Sequence, residues 1–299
     1  MHPVLFELPT PWGPQPIYSY GVMLGVSLIV GWQLIMVLGK RAGVAPNTLA
    51  DLYLTAAITG LLGARCLYIW THRDEFESAG QWFDLRGGGL VAYGGFIGGF
   101  IGAAIHARIA RVPLLRVGDA ATPALAMGFF FTRVGCYLYG CDFGTRLPES
   151  APSFLARLGR FPHWDESAHG LRGSPAYLHH VNAYGLGRDA DFAFPVHPIQ
   201  LYEAALGLAL AFCAYQLWKR RTFDGQILLG FTVVYGVTRF VLEYLRDDPE
   251  RGDIFGFSIT QFVSLAIVPL AAIGYSVLRK RARERPLGSQ RNDVSEANP

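Results

Sequence analysis

Charged residues are scarce in this chain, and that scarcity argues against an ordinary water-soluble protein. Only 16% of the 299 residues are charged, whereas 51% are hydrophobic. Soluble domains carry about 25% charged residues. The first sixteen residues contain no Lys or Arg, so the chain lacks the basic start of a cleavable signal peptide. We therefore expect the long apolar run that follows to remain in the membrane as an anchor.

Cysteine is also rare, and its spacing is not that of a metal or redox motif. The four cysteines lie in or beside apolar runs and form no C-x-x-C pattern; they are Cys66, Cys136, Cys141 and Cys213. Cys136 and Cys141 are five positions apart, which is a poor geometry for a disulfide on one helix. We expect the cysteines to pack as small apolar side chains.

Long hydrophobic stretches, in contrast, are abundant. Seven stretches are long enough to cross a bilayer, which takes about 18 apolar residues or more. They cover residues 17–38, 49–70, 88–110, 117–138, 198–218, 226–245 and 258–278. A segment in lipid must satisfy its own backbone hydrogen bonds, and these runs do not alternate as barrel strands do. The predicted fold class is all-α: a polytopic membrane protein in which residues 1–282 form about seven transmembrane helices.

Basic residues alternate between the loops, which predicts the orientation. Every second connection is basic and holds Lys40, Arg41, Arg108, Arg111, Arg116, Lys219, Arg220, Arg221, Arg279, Lys280, Arg281, Arg283 and Arg285. The short loops between them are mixed or acidic and hold Asp74, Glu75, Glu77, Asp84, Asp247, Asp248, Glu250 and Asp253. Loops rich in Lys and Arg stay in the cytoplasm. The N-terminus is therefore predicted outside the cytoplasm and the C-terminus inside it.

One connection is long enough to form a structure of its own. Residues 139–197 mix Gly, Pro and aromatic residues, which predicts a small outer head between the fourth and fifth spans. Within it, Phe154, Leu155, Leu158 and Phe161 fall on one helical face. That face suits either a short helix on the membrane surface or an ordinary helix of the head. The polar segment 283–299 is predicted to be a disordered cytoplasmic tail.

The third span carries two stripes of small residues. They are Gly94, Gly98 and Gly102, and Gly95, Gly99 and Ala103. Small residues at every fourth position allow helices to approach closely in lipid. We predict a packing role for these glycines.

Polar side chains inside the spans gather at one depth. Odd-numbered spans run inwards and even-numbered spans run outwards, so the position in a span gives the depth. Eight polar residues fall in the outer half of the bilayer: Tyr20, Arg65, Tyr93, Arg133, Gln200, Glu203, Arg239 and Glu243. Only Asp119, at the cytoplasmic start of the fourth span, departs from this depth, and a helix cap or a salt bridge is expected there. An arginine at mid-membrane costs roughly 2.5–3.5 kcal/mol on insertion scales, so intramembrane arginines indicate a functional site.

An arginine cluster at the outer leaflet suits an anionic phospholipid. Guanidinium groups bind phosphate through two hydrogen bonds, and a lipid headgroup lies at this level. Glu203 and Glu243 can offset the positive charge and fix the arginine rotamers. The alternative is a structural ion-pair network that holds the helices together.

Several segments, in order, resemble the motifs of the prolipoprotein diacylglyceryl transferase family. They are the start Ser19-Tyr20-Gly21, the glycine-rich third span, Arg133-Val-Gly-Cys-Tyr-Leu-Tyr-Gly-Cys-Asp-Phe-Gly144, His197-Pro-Ile-Gln-Leu-Tyr-Glu203, and Tyr235-Gly-Val-Thr-Arg239-Phe-Val-Leu-Glu243 with Arg246 after it. The resemblance extends from Tyr18 to about Leu278 and has the same seven-span plan.

The resemblance implies a multi-pass enzyme of the bacterial inner membrane with a periplasmic head and N-terminus. Such an enzyme moves the sn-1,2-diacylglyceryl group of phosphatidylglycerol onto the lipobox cysteine in the signal peptide of a preprolipoprotein. A thioether forms and glycerol phosphate leaves, without a metal, an organic cofactor or a nucleic acid. The implied catalytic residues are Arg133, Arg239, Tyr93 and Tyr235. The implied phosphatidylglycerol site holds Arg133, Arg239, Tyr20, Gly144, Glu203, Gln200, Glu243 and Arg246.

Two positions depart from the family pattern. Tyr93 stands before the paired glycines, where the family usually has the His that is commonly held to be the catalytic base. A tyrosine hydroxyl is a weak base at neutral pH, so Tyr93 could instead orient the lipid or the thiol by hydrogen bonding. Cys136 stands where some members carry Asn.

These departures leave two alternatives to the transferase. One is a divergent paralogue with another acceptor, and the other is a non-catalytic phospholipid-binding or lipid-transport protein. A transporter favours inverted repeats and polar residues on both sides of the midplane. The one-sided cluster in this sequence favours the enzyme.

Overall fold

Long helices make up most of the chain. The computed structural model describes residues 1–11, 13–76, 78–83, 89–166, 171–247 and 255–284. In chain order the elements are β1 (Val4–Thr10), β2 (Gly13–Tyr18), α1 (Ser19–Arg41), α2 (Pro46–Thr71), α3 (Ala92–Ile109), α4 (Leu114–Tyr139), α5 (Ser153–Leu158), β3 (Asp165–Glu166), β4 (Leu171–Arg172), α6 (Pro175–Tyr184), α7 (Ile199–Trp218), α8 (Gln226–Leu242) and α9 (Ile259–Glu284).

Backbone contacts divide the chain into two units. The first comprises Met1–Gly31 and Thr122–Pro299, and the second comprises Trp32–Ala121.

Six helices among the described residues are long and apolar enough to cross a membrane. They are α1, α2, α4, α7, α9 and the segment Gln226–Leu245, in which α8 continues into a single 3₁₀ turn at Glu243–Leu245. Between 20 and 26 residues each, they match the length that a hydrocarbon core of about 30 Å requires. The prediction of an all-α, multi-pass membrane protein is confirmed.

The third predicted span forms a helix but is not one of these six. Helix α3 has 18 residues, and five of them are glycines that add no apolar surface. His106 and Arg108 lower its hydropathy further near the C-terminal end. The prediction of seven spans therefore stays a prediction.

The glycines of α3 lie against α2 within the second unit. A side chain at Gly94 would meet the backbone of Gly63, and one at Gly98 would meet the carbonyl of Thr59. Gly99 also faces α2, because a Cβ there would lie 3.2 Å from the carbonyl oxygen of Ala56. The opposite face of α3 exposes large apolar side chains such as Phe96 and Phe100. The predicted packing role of the small-residue stripes agrees with this geometry, which gives two helices in backbone-to-backbone contact.

The first unit begins with a β-hairpin that the sequence pattern did not predict. Strands β1 and β2 pair antiparallel, from Val4 opposite Tyr18 to Thr10 opposite Gly13. The hairpin leads directly into α1, where the Ser19 N–H donates to the carbonyl of Pro3 at 2.8 Å. Four prolines in residues 9–16 hide the strand pattern in the sequence, because proline cannot donate to a ladder and usually argues against a strand.

The remaining spans of the first unit provide the frame for the site. A Cβ at Gly207 of α7 would lie 2.9 Å from the backbone nitrogen of Phe130 on α4, so these helices pack closely. Helix α8 packs on α9, where the missing side chain of Gly236 makes room for Val268.

The long connection between α4 and α7 has its own small core. Its buried members are Phe143, Phe161, Ala176, Tyr177, Ala193 and Val196. Phe161 is fully buried there, whereas Phe154 on α5 is 65% exposed. The predicted apolar face of 154–161 is therefore divided, because the chain leaves the helix at Leu158 and turns Phe161 inwards. A membrane-surface role for α5 remains a prediction for Phe154 and Leu158 alone.

Some sequence-based predictions fall outside the described residues. They concern residue 88 at the start of the third span, the loop acids Glu77, Asp84, Asp248, Glu250 and Asp253, the loop residue Arg285, and the tail from 285 onwards. Residues 283 and 284, predicted as the start of that tail, belong to α9.

Candidate active site

Three arginines and three carboxylates form a closed ring of alternating charge in the first unit, which we call the ion ring. Its members are, in order around the ring, Arg133, Asp142, Arg246, Glu243, Arg239 and Glu203. Each arginine contacts two carboxylates, and each carboxylate contacts two arginines. Three positive and three negative groups leave the ring without net formal charge.

The Arg133 side of the ring joins α4 to α7 and to the loop that follows α4. Arg133 Nη1 forms a short ion pair with Asp142 Oδ2, and its Nε lies 2.9 Å from Glu203 Oε2. The other oxygen of Glu203 lies 3.3 Å from Arg239 Nε. Neither oxygen of Glu203 has a hydrogen bond of good geometry among the described residues. Glu203 therefore acts on both arginines mainly through its charge.

The Arg239 side of the ring follows from helical spacing. Arg239 and Glu243 are four residues apart at the end of α8, and Arg239 Nη1 lies 2.5 Å from Glu243 Oε2. Arg246 follows three residues later, with its Nε 3.9 Å from the same oxygen. Its Nη2 donates to Asp142 Oδ1 at 2.5 Å, which closes the ring.

Burial differs strongly around the ring. The side chains of Glu243 and Glu203 are 1% and 4% exposed, whereas that of Asp142 is 28% exposed. Arg133, at 15%, is the most exposed of the three arginines. Burial alone would raise the pKa of Asp142, but Arg133 and Arg246 outweigh it and hold that pKa well below its usual range. Asp142 is therefore ionised at neutral pH.

Backbone contacts fix the loop that carries Asp142. Gly140 has a φ of 82° and ends α4, which favours glycine at that position. Gln200, fully buried on α7, donates to the carbonyl of Cys141 at 2.6 Å. Gly144 donates from its backbone to the carbonyl of His197, and a Cβ on Gly144 would lie only 2.6 Å from that oxygen. Gln200 and Gly144 thus position the ring in this structure.

Two of the implied tyrosines lie in the same unit as the ring. Tyr20, at the start of α1, packs over Gly135, whose missing Cβ would lie 3.1 Å from its ring. Gly135 is two residues from Arg133 on α4. Tyr235 of α8 stacks on Phe129 with a centroid distance of 4.4 Å and on Phe231 at 5.6 Å. The Tyr235 ring therefore packs α8 against α4, on the N-terminal side of Arg239 in α8.

Tyr93 and Arg65 belong to the second unit and not to the ion ring. Tyr93 is half-buried near the start of α3. Arg65 is 9% exposed and donates to three backbone carbonyls, those of Gln81, Trp82 and Gly89, at 2.8, 2.8 and 3.0 Å. These contacts give Arg65 a structural role, although its depth in the sequence had placed it with the other polar residues.

Two thiols lie beside the ring. Cys136 is buried and its Sγ lies 3.4 Å from Asp142 Oδ2, while Cys141 Sγ lies 3.8 Å from the carbonyl of Cys136. A hydrogen bond with Cys136, together with burial, raises the pKa of the Cys141 thiol well above its ordinary value. The ligand atoms of Cys136, Cys141 and Asp142 lie within 4.8 Å of one another, close enough for a metal ion. Asp142 already binds two guanidinium groups, however, and their charge opposes a cation.

Asp142 is the one member of the ion ring that the sequence pattern does not predict. The pattern predicts the three arginines and the carboxylates Glu203 and Glu243. The available signal was charge balance, because a third buried arginine calls for a third acid. Asp142 was present in the motif between Arg133 and Gly144.

The geometry suits chemistry in which negative charge grows on a phosphate. Three guanidinium groups converge in a largely buried site, where a charge interaction is much stronger than in water. Preorganised donors of this kind stabilise a developing anion without reorganising during the reaction.

Comparison with known proteins gives one consistent result. Residues 3–277 match the family model described as prolipoprotein diacylglyceryl transferase. A Clostridium tetani protein named phosphatidylglycerol–prolipoprotein diacylglyceryl transferase is 28% identical over 285 residues, which cover 94% of this chain and 99% of the relative. A Clostridium perfringens protein of the same name, numbered 2, is 27% identical over 269 residues, with 90% and 93% covered. The matched segment includes every member of the ion ring, and the chain belongs to the prolipoprotein diacylglyceryl transferase family.

Proposed function

We propose that this protein transfers the sn-1,2-diacylglyceryl group of phosphatidylglycerol to a cysteine thiol of preprolipoproteins. Both substrates appear in the names of its near full-length relatives. The observation that carries the proposal is the convergence of Arg133, Arg239 and Arg246 in one buried ring. Arginine is the side chain best suited to planar, bidentate recognition of phosphate.

In the proposed reaction the cysteine sulfur attacks the glycerol carbon that carries the phosphate. A carbon–sulfur bond forms, the carbon–oxygen bond breaks, and glycerol phosphate leaves with the electron pair. The thiol proton passes to the departing phosphate or to solvent. The phosphodiester carries one negative charge and the departing phosphomonoester carries up to two, so charge on phosphate increases. Arg133 and Arg239 stabilise that increase and thereby lower the barrier.

The remaining implied residues have supporting roles in this proposal. Tyr93 contributes its hydroxyl to the thiol or the phosphate, and Tyr235 contributes through its place beside the arginines. Tyr20, Gly144, Gln200 and Glu243 shape the lipid site. The acceptor is the lipobox cysteine in a signal peptide, which reaches the site from the membrane as the lipid does.

The resemblance to the family suggests an inner-membrane location. The alternating basic loops support an orientation with the N-terminus and the head in the periplasm and the C-terminus in the cytoplasm. In this orientation the ion ring lies at the level of the outer-leaflet headgroups.

The test is complementation of a bacterium depleted of its own transferase. We expect the wild-type gene to restore growth, and lipoproteins to gain the mass of one diacylglyceryl group at the lipobox cysteine. A protein that binds phosphatidylglycerol in vitro but restores neither growth nor this mass would instead be a phospholipid-binding protein. A gain of mass on other acceptors only would indicate a divergent paralogue.

A further inference from the structure

The ion ring is already neutral before any lipid binds, which creates a conflict with phosphate binding. Each of Arg133, Arg239 and Arg246 contacts two carboxylates. A phosphodiester brought to the ring would add a negative charge beside three others. An unpaired charge in a buried site is strongly destabilising. The phosphate therefore binds best if one carboxylate moves away from its arginines.

Only one carboxylate is placed to leave. Glu203 and Glu243 are almost completely buried and belong to α7 and to the 3₁₀ turn that continues α8. Asp142 is on the loop after α4, and 28% of its side chain is exposed. The backbone on both sides of it is held, since Cys141 accepts from Gln200 and Gly144 donates to His197. Departure of the carboxylate is therefore a rotation of the side chain towards solvent, with no movement of the loop.

The contacts of Asp142 also match those a phosphate would make. One carboxylate oxygen contacts Arg133 and the other contacts Arg246, so the group bridges two guanidinium forks. Carboxylate and phosphate each present a pair of oxygens that such forks bind through parallel hydrogen bonds. The thiol of Cys136 lies 3.4 Å from the first of these oxygens and adds a third contact.

We infer that Asp142 is an internal anion that occupies the phosphate position of the donor lipid and that the lipid phosphate displaces on binding. This inference rests on the proposed function. It makes Asp142 a residue that sets the affinity for the donor. While the carboxylate is bound it keeps Arg133 and Arg246 in their binding rotamers, and it lowers the fraction of protein that is ready to bind phosphate. The apparent affinity falls in proportion to that fraction.

The first test compares Asp142→Asn with wild type in detergent, with dioctanoyl phosphatidylglycerol as the probe. The amide keeps the shape of the side chain but loses the charge that competes with phosphate. We expect the Kd, measured by calorimetry, to fall about tenfold, because removing the competing state raises the competent fraction. The matched control is Asp189→Asn, which removes the same charge from an exposed position of the head and should leave the Kd unchanged.

The second test uses the wild-type protein, so it does not depend on how well the variant folds. Carbodiimide coupling of an amine to Asp142, read by mass spectrometry, reports whether the carboxylate faces solvent. We expect labelling of Asp142 to increase when dioctanoyl phosphatidylglycerol is added, while labelling of Asp189 stays constant.

An unchanged or weaker Kd in folded Asp142→Asn, or labelling of Asp142 that does not rise with the lipid, would overturn the inference. Both readouts are binding measurements and do not require turnover. The proposed function is tested separately by the mass of the modified lipoprotein. Tighter lipid binding by Asp142→Asn, together with no lipoprotein modification by the wild-type protein, would support the displacement and reject the transferase.

Discussion

Arg133 and Arg239 each hold two carboxylates, and Glu203 joins them. We expect Arg133→Ala and Arg239→Ala each to lower kcat/KM at least 10²-fold, since loss of one preorganised donor costs about 10²–10³-fold in rate. Lysine at either position should recover little activity, because it keeps the charge but lacks the planar fork. The measurement is diacylglyceryl transfer to a lipobox peptide by the purified protein.

The control for these variants is Arg157→Ala, which removes an exposed arginine of α5 and should retain full activity. Removing one partner of a buried ion pair is also destabilising, so each variant must elute as a folded monodisperse species. Folded alanine variants with near-normal transfer would show that the ring is only structural.

Removing the hydroxyl of Tyr93 distinguishes a chemical role of this residue from a packing role. We expect Tyr93→Phe to lower the rate of transfer roughly 10²-fold or more, because loss of general acid–base help costs about 10²–10⁴-fold. Tyr93→His should keep or raise activity if tyrosine stands in for the base. An aromatic residue of the membrane interface would tolerate Phe, so unchanged transfer in Tyr93→Phe would remove Tyr93 from the mechanism.

Which residues belong to the site was easier to predict than which residues contact each other. Charge at the outer half of the spans was enough to select Arg133, Arg239, Glu203 and Glu243. It also selected Arg65, which binds backbone carbonyls instead. Depth gives one coordinate only, and the loop conformation that returns Asp142 to Arg133 depends on a glycine with positive φ and on tertiary contacts. The spacing of residues in the sequence does not predict this loop conformation or these tertiary contacts.

Helices α2 and α3 pack with their backbones in contact, and Gly98 is one of the points of close approach. A Cβ at Gly98 would contact the Thr59 carbonyl oxygen, and it would lie 3.1 Å from the Cα of Gly63. We expect Gly98→Val to lower the stability of the protein by about 1–3 kcal/mol, as overpacking does. The measurement is thermal unfolding in detergent.

Gly25→Ala on α1 is the matched control, since nothing lies within 4 Å of a Cβ there. This variant should be as stable as wild type or slightly more so, because alanine is favoured over glycine in a helix interior. Equal melting temperatures for Gly98→Val and wild type would contradict the close packing of α2 on α3.

The head should lose stability in mild acid because of His180. This side chain is fully buried, its Nδ1 accepts from the Phe194 N–H at 3.1 Å, and its Nε2 finds no hydrogen-bond partner among the described residues. Burial, aided by the neighbouring His179, lowers the pKa of His180 from 6.5 to about 4. A histidine that is buried neutral stabilises the fold above its unfolded pKa and loses that contribution as pH falls. The loss should therefore occur between about pH 6.5 and 4.

His180→Asn keeps an acceptor for Phe194 but cannot take up a proton. We expect amide hydrogen exchange in α6 of wild type to speed up from pH 7 to pH 4.5, after correction for the intrinsic pH dependence of exchange. The variant should show a smaller change. An equal change in both proteins would assign the acid sensitivity to another group.

Element boundaries were predictable where hydrophobicity was uniform. Helices α2, α7 and α8 begin within three residues of the predicted spans, because long apolar runs leave the chain no alternative in lipid. The hairpin β1–β2 was missed, since its prolines mask the alternation of a strand. The six-residue helix α5 did occur, but the burial of Phe161 shows that a helical wheel cannot tell where a short helix ends.

For the whole molecule, the distribution of basic residues predicts the topology. We expect a cysteine at Arg220 to be protected from a membrane-impermeant maleimide in intact cells, and one at Ser150 to be labelled. The four native cysteines should first be replaced by alanine. Both positions should react after permeabilisation, which serves as the control. Labelling of position 220 with protection of position 150 in intact cells would reverse the orientation.

The closed ion ring also has a consequence for biogenesis. A nascent chain that has completed α7 contains Arg133, Asp142 and Glu203, and these carry one negative charge in excess. The segment that follows supplies Arg239, Glu243 and Arg246, which carry one positive charge in excess. Each half is costly to bury alone, because an uncompensated charge in a dry interior is strongly destabilising. A chain truncated after α7 therefore retains an unneutralised charge, which is removed once Arg239, Glu243 and Arg246 complete the ring.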